Sequence, residues 1–503
     1  MTTHHLTLDA TAPDVDRRRY WALAVIALAQ LMIVLDASVV IVALPSAQRA
    51  LHISIANRQW VMSAYTLVFG SFLLLGGRVA DYLGRRRVFV VGLLGFGVAS
   101  ALAGLAQNAT MLFGARALQG LFAAVMAPAA LSLLSVTFTE AHERARAFGV
   151  YSAIAGSGAA IGLVLGGVLT QYASWRWTLL INAPIALVAA AAARRVVRES
   201  RVAVRHSYDI PGALTSTGGL FLLVYGFTMV ASHGWTSTLT VSLLAGAAAL
   251  LAAFVAIEVR SAHPLLPLKV VLERKRGGAF LSSLLVGFSM LGTFLFLTYF
   301  LQGILGYSAL RTGFAFLPFS FGIIAGASVA SRLLPRTGPR GLMVVGLTLA
   351  ATGLYGFSRL GVDSTYLAHV LAPEILTSLG MGLTFVPMNS TALFGVVEAD
   401  AGVASALVNT TQQVGGALGT AFLNTVAASS TAAFLVSRVV TPRVVREATV
   451  HGFTSAFEVS AALVAVAAIV AGSLVGAKRM HRAPHRITEA LTERQLPLVD
   501  GLV

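Results

Sequence analysis

The chain has 503 residues, of which 57% are hydrophobic and 11% charged, where a soluble chain carries about a quarter charged. Its mean hydropathy is +0.81, and long uncharged stretches recur from end to end, which excludes a soluble globular protein. The net charge of +16 comes without a single cysteine. Disulfides and thiolate metal sites are therefore excluded, and the excess base reads as membrane anchoring rather than nucleic-acid binding.

Residues 1–19 form a polar tail ending in Arg17, Arg18 and Arg19. The apolar run that follows is too long for a signal peptide, so it reads as a retained first helix. About 20 apolar residues are needed per span. That length predicts helices at 21–45, 58–77, 88–107, 111–137, 146–170, 177–193, 210–232, 238–257, 279–302, 310–331, 341–359, 366–392, 401–428 and 455–477. Fourteen spans put both termini on one side. With that side cytoplasmic, and with the arginines at span ends (Arg58, Arg146, Arg311 and Arg359) assigned to the side they border, 27 of the 36 Lys and Arg are cytoplasmic, eight are outside and Arg116 lies within a span. The bias predicts a multi-pass protein of the cell membrane with both termini inside. The 429–454 connector, carrying Arg438, Arg443 and Arg446, runs against the bias and reads as an external hairpin.

The connector after the second span, GGRVADYLGRRR at 76–87, has a counterpart 254 residues on. Aligned without gaps, 76–93 and 330–347 match at seven of eighteen positions, including Arg78/Arg332, Gly84/Gly338 and Arg86/Arg340. The repeat predicts two parallel six-helix bundles with helices 7 and 8 inserted between them, an architecture of transporters. The corresponding divisions are 1–19 (tail), 20–193 (first bundle), 194–276 (linkers and inserted pair), 277–477 (second bundle) and 478–503 (tail). Anchoring alone accounts for Arg85, Arg86 and Arg87. It does not account for Asp81 or for Gly77 and Gly84, which suit a latch between the bundles on the cytoplasmic side.

Together with this connector, several stretches resemble the major facilitator superfamily and its 14-helix drug:proton antiporter branch. They are LDASVVIVALP (35–45), RALQG (116–120), GAAIGLVLGG (158–167), WRWTLLINAP (175–184), ILGYSALRTGFAFLP (304–318) and AGVASALVNTTQQVGGALG (401–419). The resemblance covers almost the whole chain and implies an all-α membrane fold engaged in multidrug efflux and antibiotic resistance. It also implies that Asp36 and Arg116 serve proton coupling, and that Gly158, Gly162, Gly166 and Gly167 form the antiporter motif. Three positions depart from the pattern. Tyr82 follows Asp81 where the superfamily often has Arg, Ile41 replaces an Asn, and Leu163 replaces the Pro that kinks helix 5, which weakens exchange relative to uniport.

Ionisable groups within spans cost about 2.5–3.5 kcal/mol each on insertion scales, so they are functional candidates. Asp36, Arg116 and Glu374 are three such groups, all in the outer half by residue count. A carboxylate in an apolar cavity can exchange a proton for a cation, and a guanidinium nearby tunes it. The competing reading is a structural Asp36–Arg116 ion pair. For Glu374 the alternatives are a substrate or proton site, a residue of the external vestibule, or a residue beyond the helix boundary. Gln30, Asn182, Asn389, Asn409 and Gln413 are candidate substrate-binding residues, although bonding between helices explains each one alone. Phe294, Phe296, Tyr299, Phe316, Phe319 and Phe385 suit an adaptable pocket, with packing the alternative.

These features point to efflux of amphipathic or cationic compounds in exchange for protons, without a cofactor, by a protein working as a monomer in the bilayer. Rival readings are export of a self-made metabolite or lipid, symport or uniport on the same fold, and a membrane sensor. None of the three lysines follows a glycine, so there is no G-K-[ST] phosphate loop, and H-E-x-x-H is absent. An ATP-driven pump and an intramembrane enzyme are disfavoured accordingly.

Overall fold

The computed structural model describes residues 17–55, 57–200, 209–261, 266, 268–396, 398–436 and 438–476. Most of the N-terminal tail and the whole C-terminal tail, with Lys478, lie outside the described residues. The helices of the first half are α1 (Arg17–Ala50), α2 (Trp60–Leu83), α3 (Arg85–Gly104), α4 (Ala109–Thr137), α5 (Ala141–Tyr172) and α6 (Trp177–Val196). Next come α7 (Ile210–His233) and α8 (Thr238–Arg260). The second half has α9 (Arg274–Ile304), α10 (Ala309–Thr337), α11 (Pro339–Phe357), α12 (Tyr366–Leu393), α13 (Glu398–Leu435) and α14 (Pro442–Leu474). Twelve of these are long and apolar enough to cross a membrane; α2 and α5 carry the shorter apolar stretches Trp60–Leu73 and Gly158–Tyr172. The fold is all-α.

Local chemistry sets many of the helix ends. Asn108, Asp209, Ser308 and Thr441 each accept a backbone N–H of the first turn of α4, α7, α10 and α14. The α2–α3 and α10–α11 turns are one residue each, Gly84 with φ 104° and Gly338 with φ 75°. Only glycine takes that conformation without strain. The two residues aligned by the repeat thus make the same turn. One expectation is corrected. The 429–454 segment is no long hairpin, because α13 continues to Leu435 and α14 already starts at Pro442. Thr441 caps that start and Pro442 stands in the first turn, where its missing N–H costs nothing.

Some helices are interrupted. α6 breaks at Ile181 and α10 at Phe316, while α9 ends and α12 begins in a turn of π-helix. In the first half α4 packs on α2 and α3, α1 on α5, and α3 on α6. In the second half α12 packs on α10 and α11, and α14 on α9, α11 and α13. Two seams join the halves, α2 against α13 and α5 against α10. α7 lies on the first seam, where Val224 joins Leu67, Val68, Val414, Ala417 and Leu418 in one apolar cluster. Thr217 donates to Ser71 O at 3.1 Å to hold it there. α8 packs on α7 and buries little, as expected of a lipid-facing helix.

We call the face where α1 begins the terminal face and the face where α1 ends the far face. On the far face, bonds cross between the halves. Gln302 donates to Val42 O at 2.9 Å, Tyr299 donates to Gln48, and Leu310 N–H reaches Gln171 Oε1 at 3.3 Å. At the same end a Cβ on Gly167 would lie 2.8 Å from Leu310 Cα, and one on Gly313 2.5 Å from Leu163 O. On the terminal face Arg18, Arg19 and Arg274 bond within their own halves, to Arg195 O, Glu143 and Ser473 O.

Candidate functional site

Five helices converge on Asp36. Its carboxylate is wholly buried on α1, and Arg116 on α4 is 2% exposed. Arg116 Nη1 donates to Asp36 Oδ2 at 2.5 Å and to Gln119 Oε1 at 3.0 Å, and its Nε donates to Val61 O of α2 at 3.0 Å. Gln119 Nε2 donates to Asp36 Oδ1 at 2.9 Å, and Asn182 Nδ2 donates to the same oxygen at 3.0 Å. Both amides also reach Ser100 Oγ on α3, which donates to Leu179 O of α6 at 2.8 Å. The guanidinium lies 4.6 Å from the Tyr65 ring centroid.

The chain supplies this arrangement locally. Arg116 and Gln119 are three residues apart on α4 and share one face. The break at Ile181 places Asn182 at the head of the second segment of α6. Asp36 and Arg116 cancel in charge, and each carboxylate oxygen has a donor, as a buried ion pair requires. The ion pair is therefore real. Tyr65 Oη and Asn182 Oδ1 are buried in the same region without a hydrogen-bond partner, so this neutral cluster keeps one spare donor and one spare acceptor.

Glu374 does not join this cluster. It is wholly buried at the start of the regular part of α12. One oxygen accepts Phe319 N–H at 3.2 Å, and the other lies 3.1 Å from Tyr366 Oη. Tyr366 also donates to Ala315 O at 2.7 Å. Phe319 and Ala315 flank the break in α10, so Glu374 and Tyr366 satisfy backbone groups that the break leaves open. The boundary reading is excluded by the position of Glu374 inside α12. Phe294 packs on Phe316 and Phe319, with centroids at 5.5 and 4.8 Å, and Phe296 packs on Phe453 and Phe457, which gives both a core role.

The other candidates are dispersed. Gln30 Oε1 accepts Tyr151 OH at 2.6 Å, linking α1 to α5. Asn389 is exposed and bonds its own helix at Phe385 O, Asn409 is exposed, and Gln413 is half-buried against Gly70 on the α2–α13 seam. Gly158, Gly162 and Gly166 seat α5 on α1. A Cβ at Gly166 would lie 2.8 Å from Val39 O, and one at Gly162 would overlap Ser38 Oγ.

The α2–α3 connector bonds to a segment of its own half. Arg85 N–H donates to Ser200 O at 3.1 Å, Arg86 N–H donates to Glu199 Oε1 at 3.0 Å, and the Arg86 and Arg87 side chains flank Glu199 at 3.8 Å. In this conformation the arginines hold the segment after α6, in their own half, through Glu199 and Ser200. Gly76 rather than Gly77 brings α2 against α4; its Cβ would lie 2.1 Å from Ala124 O, whereas one on Gly77 would make an ordinary contact. The Asp81 side chain lies outside the described residues.

The sequence model of the Major Facilitator Superfamily matches residues 26–420. The chain belongs to that superfamily. Among curated relatives, the puromycin resistance protein pur8 of Streptomyces alboniger is 50% identical over 472 residues, covering 93% of this chain and 94% of that one. The cephamycin export protein CmcT of Amycolatopsis lactamdurans is 41% identical over 414 residues, covering 82% and 85%. The tetracenomycin C resistance and export protein of Streptomyces glaucescens is 36% identical, covering 82% and 77%. A solved bacterial homologue of the human lysosomal transporter Spinster, inward-facing and unoccupied, superposes with TM-score 0.63 at 15% identity, covering 91% of this chain and 97% of that one. That likeness shows the fold.

As a major facilitator the chain is a multi-pass membrane transporter rather than an enzyme. Sequence reasoning found Asp36, Arg116 and Asn182 but missed Gln119, Ser100, Tyr65 and Tyr366. Gln119 had a usable signal, since it falls within RALQG three residues after Arg116. Tyr366 had a weaker one, standing eight residues before Glu374, whereas Ser100 had none, because Leu179 lies 79 residues away.

Proposed function

We propose that this transporter exports amphipathic or cationic antibiotic-like compounds in exchange for protons, by alternating access. The observation that carries the reading is the similarity, over most of both chains, to relatives named for antibiotic resistance and export. The charge bias supports cytoplasmic termini and an external far face. In that orientation the bonded far face is the closed external side. The unit is a single chain in the lipid bilayer, driven by the proton gradient without a bound cofactor or nucleic acid.

The Asp36 cluster supports the coupling. With Asp36 ionised, the carboxylate and Arg116 cancel. A proton on Asp36 leaves the Arg116 charge uncompensated. Proton and cationic substrate then disfavour each other, which is the negative coupling that exchange needs. Glu374 adds a second buried carboxyl in the other half. One proton moving down ~100 mV supplies about 2.3 kcal/mol, enough for more than tenfold accumulation.

Expression in a pump-deficient bacterial host tests the reading, with susceptibility to puromycin and a panel of cationic and neutral antibiotics. The expected result is raised resistance that an uncoupler removes. Unchanged susceptibility across the panel would sink it. Export of a self-made compound is the second reading, supported by the cephamycin and tetracenomycin relatives, and it predicts resistance confined to one chemical class.

A further inference from the structure

Arg58, two residues before α2, counts in the sequence as one more external charge. In the structure it is 5% exposed. Its guanidinium carbon lies 4.1 Å from the Tyr299 ring centroid on α9 and 5.8 Å from that of Phe453 on α14. Among the described residues no carboxylate pairs with it, and its Nε has no hydrogen-bond partner. Tyr299 in turn donates to Gln48, near the end of α1.

A buried cation without a counter-ion is costly unless something replaces its hydration. Here the replacement is the negative face of an aromatic ring, with a second ring further off, an attraction that strengthens as water is excluded. Arg58 belongs to the first half and both rings to the second. The compensation therefore exists only while the far face is closed. When the halves part there, Arg58 loses both rings and returns to water, where an arginine is well solvated.

We infer that Arg58 is the gating residue of the far face, holding that mouth of the pathway shut through Tyr299 and Phe453. The latch is reversible because each state gives the cation a partner, rings when closed and water when open. It goes beyond the proposed export activity and does not depend on which ion or substrate drives transport.

The absence of cysteine allows a direct test. Spin labels at Leu105→Cys and Val440→Cys, exposed far-face positions in opposite halves, report the width of this mouth in reconstituted protein by pulsed electron resonance. Arg58→Gln and Tyr299→Leu should each raise the open fraction about tenfold, which is about 1.4 kcal/mol. Combined, they should add little, since both remove one interaction. Tyr299→Phe keeps the ring and should resemble wild type, and Phe453→Leu should shift the distribution less, in line with its longer distance. Should Arg58→Gln not fold, Tyr299→Leu and Phe453→Leu carry the same readout. An unchanged distance distribution in the folded variants overturns the assignment. So does a shift in Tyr299→Phe as large as in Tyr299→Leu, which would place the latch in the hydroxyl, with its bonds to Gln48 and Arg58, rather than in the rings.

Discussion

Replacing Asp36 by Asn tests the buried cluster most sharply, because the three groups that bond its carboxylate are all donors. Arg116 Nη1, Gln119 Nε2 and Asn182 Nδ2 each direct N–H at it. An asparagine brings one acceptor oxygen and one NH2 group, so a donor must face a donor. Gln119 has no easy rotation to relieve this, since its Oε1 already accepts from Arg116. Arg116 keeps Val61 O, Gln119 and the Tyr65 ring, but its buried charge loses its only counter-ion among the described residues. Breaking one partner of a buried pair costs about 3–5 kcal/mol, whereas replacing both by apolar groups of similar volume is often neutral. Asp36→Asn is therefore expected to lower the melting temperature by several degrees, followed by intrinsic tryptophan fluorescence in detergent. Asp36→Leu combined with Arg116→Met should recover most of the loss while remaining unable to release protons on substrate addition. If Asp36→Asn melts with wild type, or if the double variant is less stable than either single one, the cluster is not the buried ion pair described here.

Three further outcomes follow from the geometry. Gly166→Ala should reduce stability and transport more than Gly158→Ala, because its Cβ meets the Val39 backbone while that of Gly158 meets the movable Val34 side chain at 3.1 Å; equal effects in a melting and transport assay would contradict this. Glu374→Gln keeps an acceptor for Phe319 N–H and should melt near wild type, while Glu374→Ala leaves that N–H unsatisfied and should cost about 1–3 kcal/mol. In intact cells Val445→Cys should react with an impermeant thiol reagent and Met480→Cys should not; the reverse pattern would invert the membrane orientation.

The helices were legible because crossing a bilayer demands length and apolarity, which composition reports directly. The Gly84 and Gly338 turns were legible for a similar reason, since a single residue with positive φ calls for glycine. The breaks at Ile181 and Phe316 were not, because the groups that make them tolerable come from distant segments, such as Glu374 and Tyr366 for α10. Asp36 and Arg116 stood out as charges in apolar runs. Their conversion into a neutral cluster depends on Gln119, Asn182 and Ser100, uncharged residues that composition does not distinguish from ordinary polar ones. Arg58 was hidden by its own charge, which reads as solvent exposure until Tyr299 and Phe453 are seen over it. The partners of the connector arginines were hidden for the same reason, since Glu199 and Ser200 reach them from a segment 113 residues away.

The central claim is proton-driven export, and reconstituted proteoliposomes test it most directly. With an imposed pH difference and no other energy source, wild-type protein should accumulate puromycin or another cationic substrate against its gradient. Protons should move in the opposite direction at the same time, followed by a pH-sensitive dye. Reconstituted Asp36→Asn protein, verified as folded, should equilibrate substrate without concentrating it. Uphill accumulation by Asp36→Asn at the wild-type level would move the coupling site to Glu374, and wild-type accumulation that ignores the pH difference would contradict proton exchange altogether.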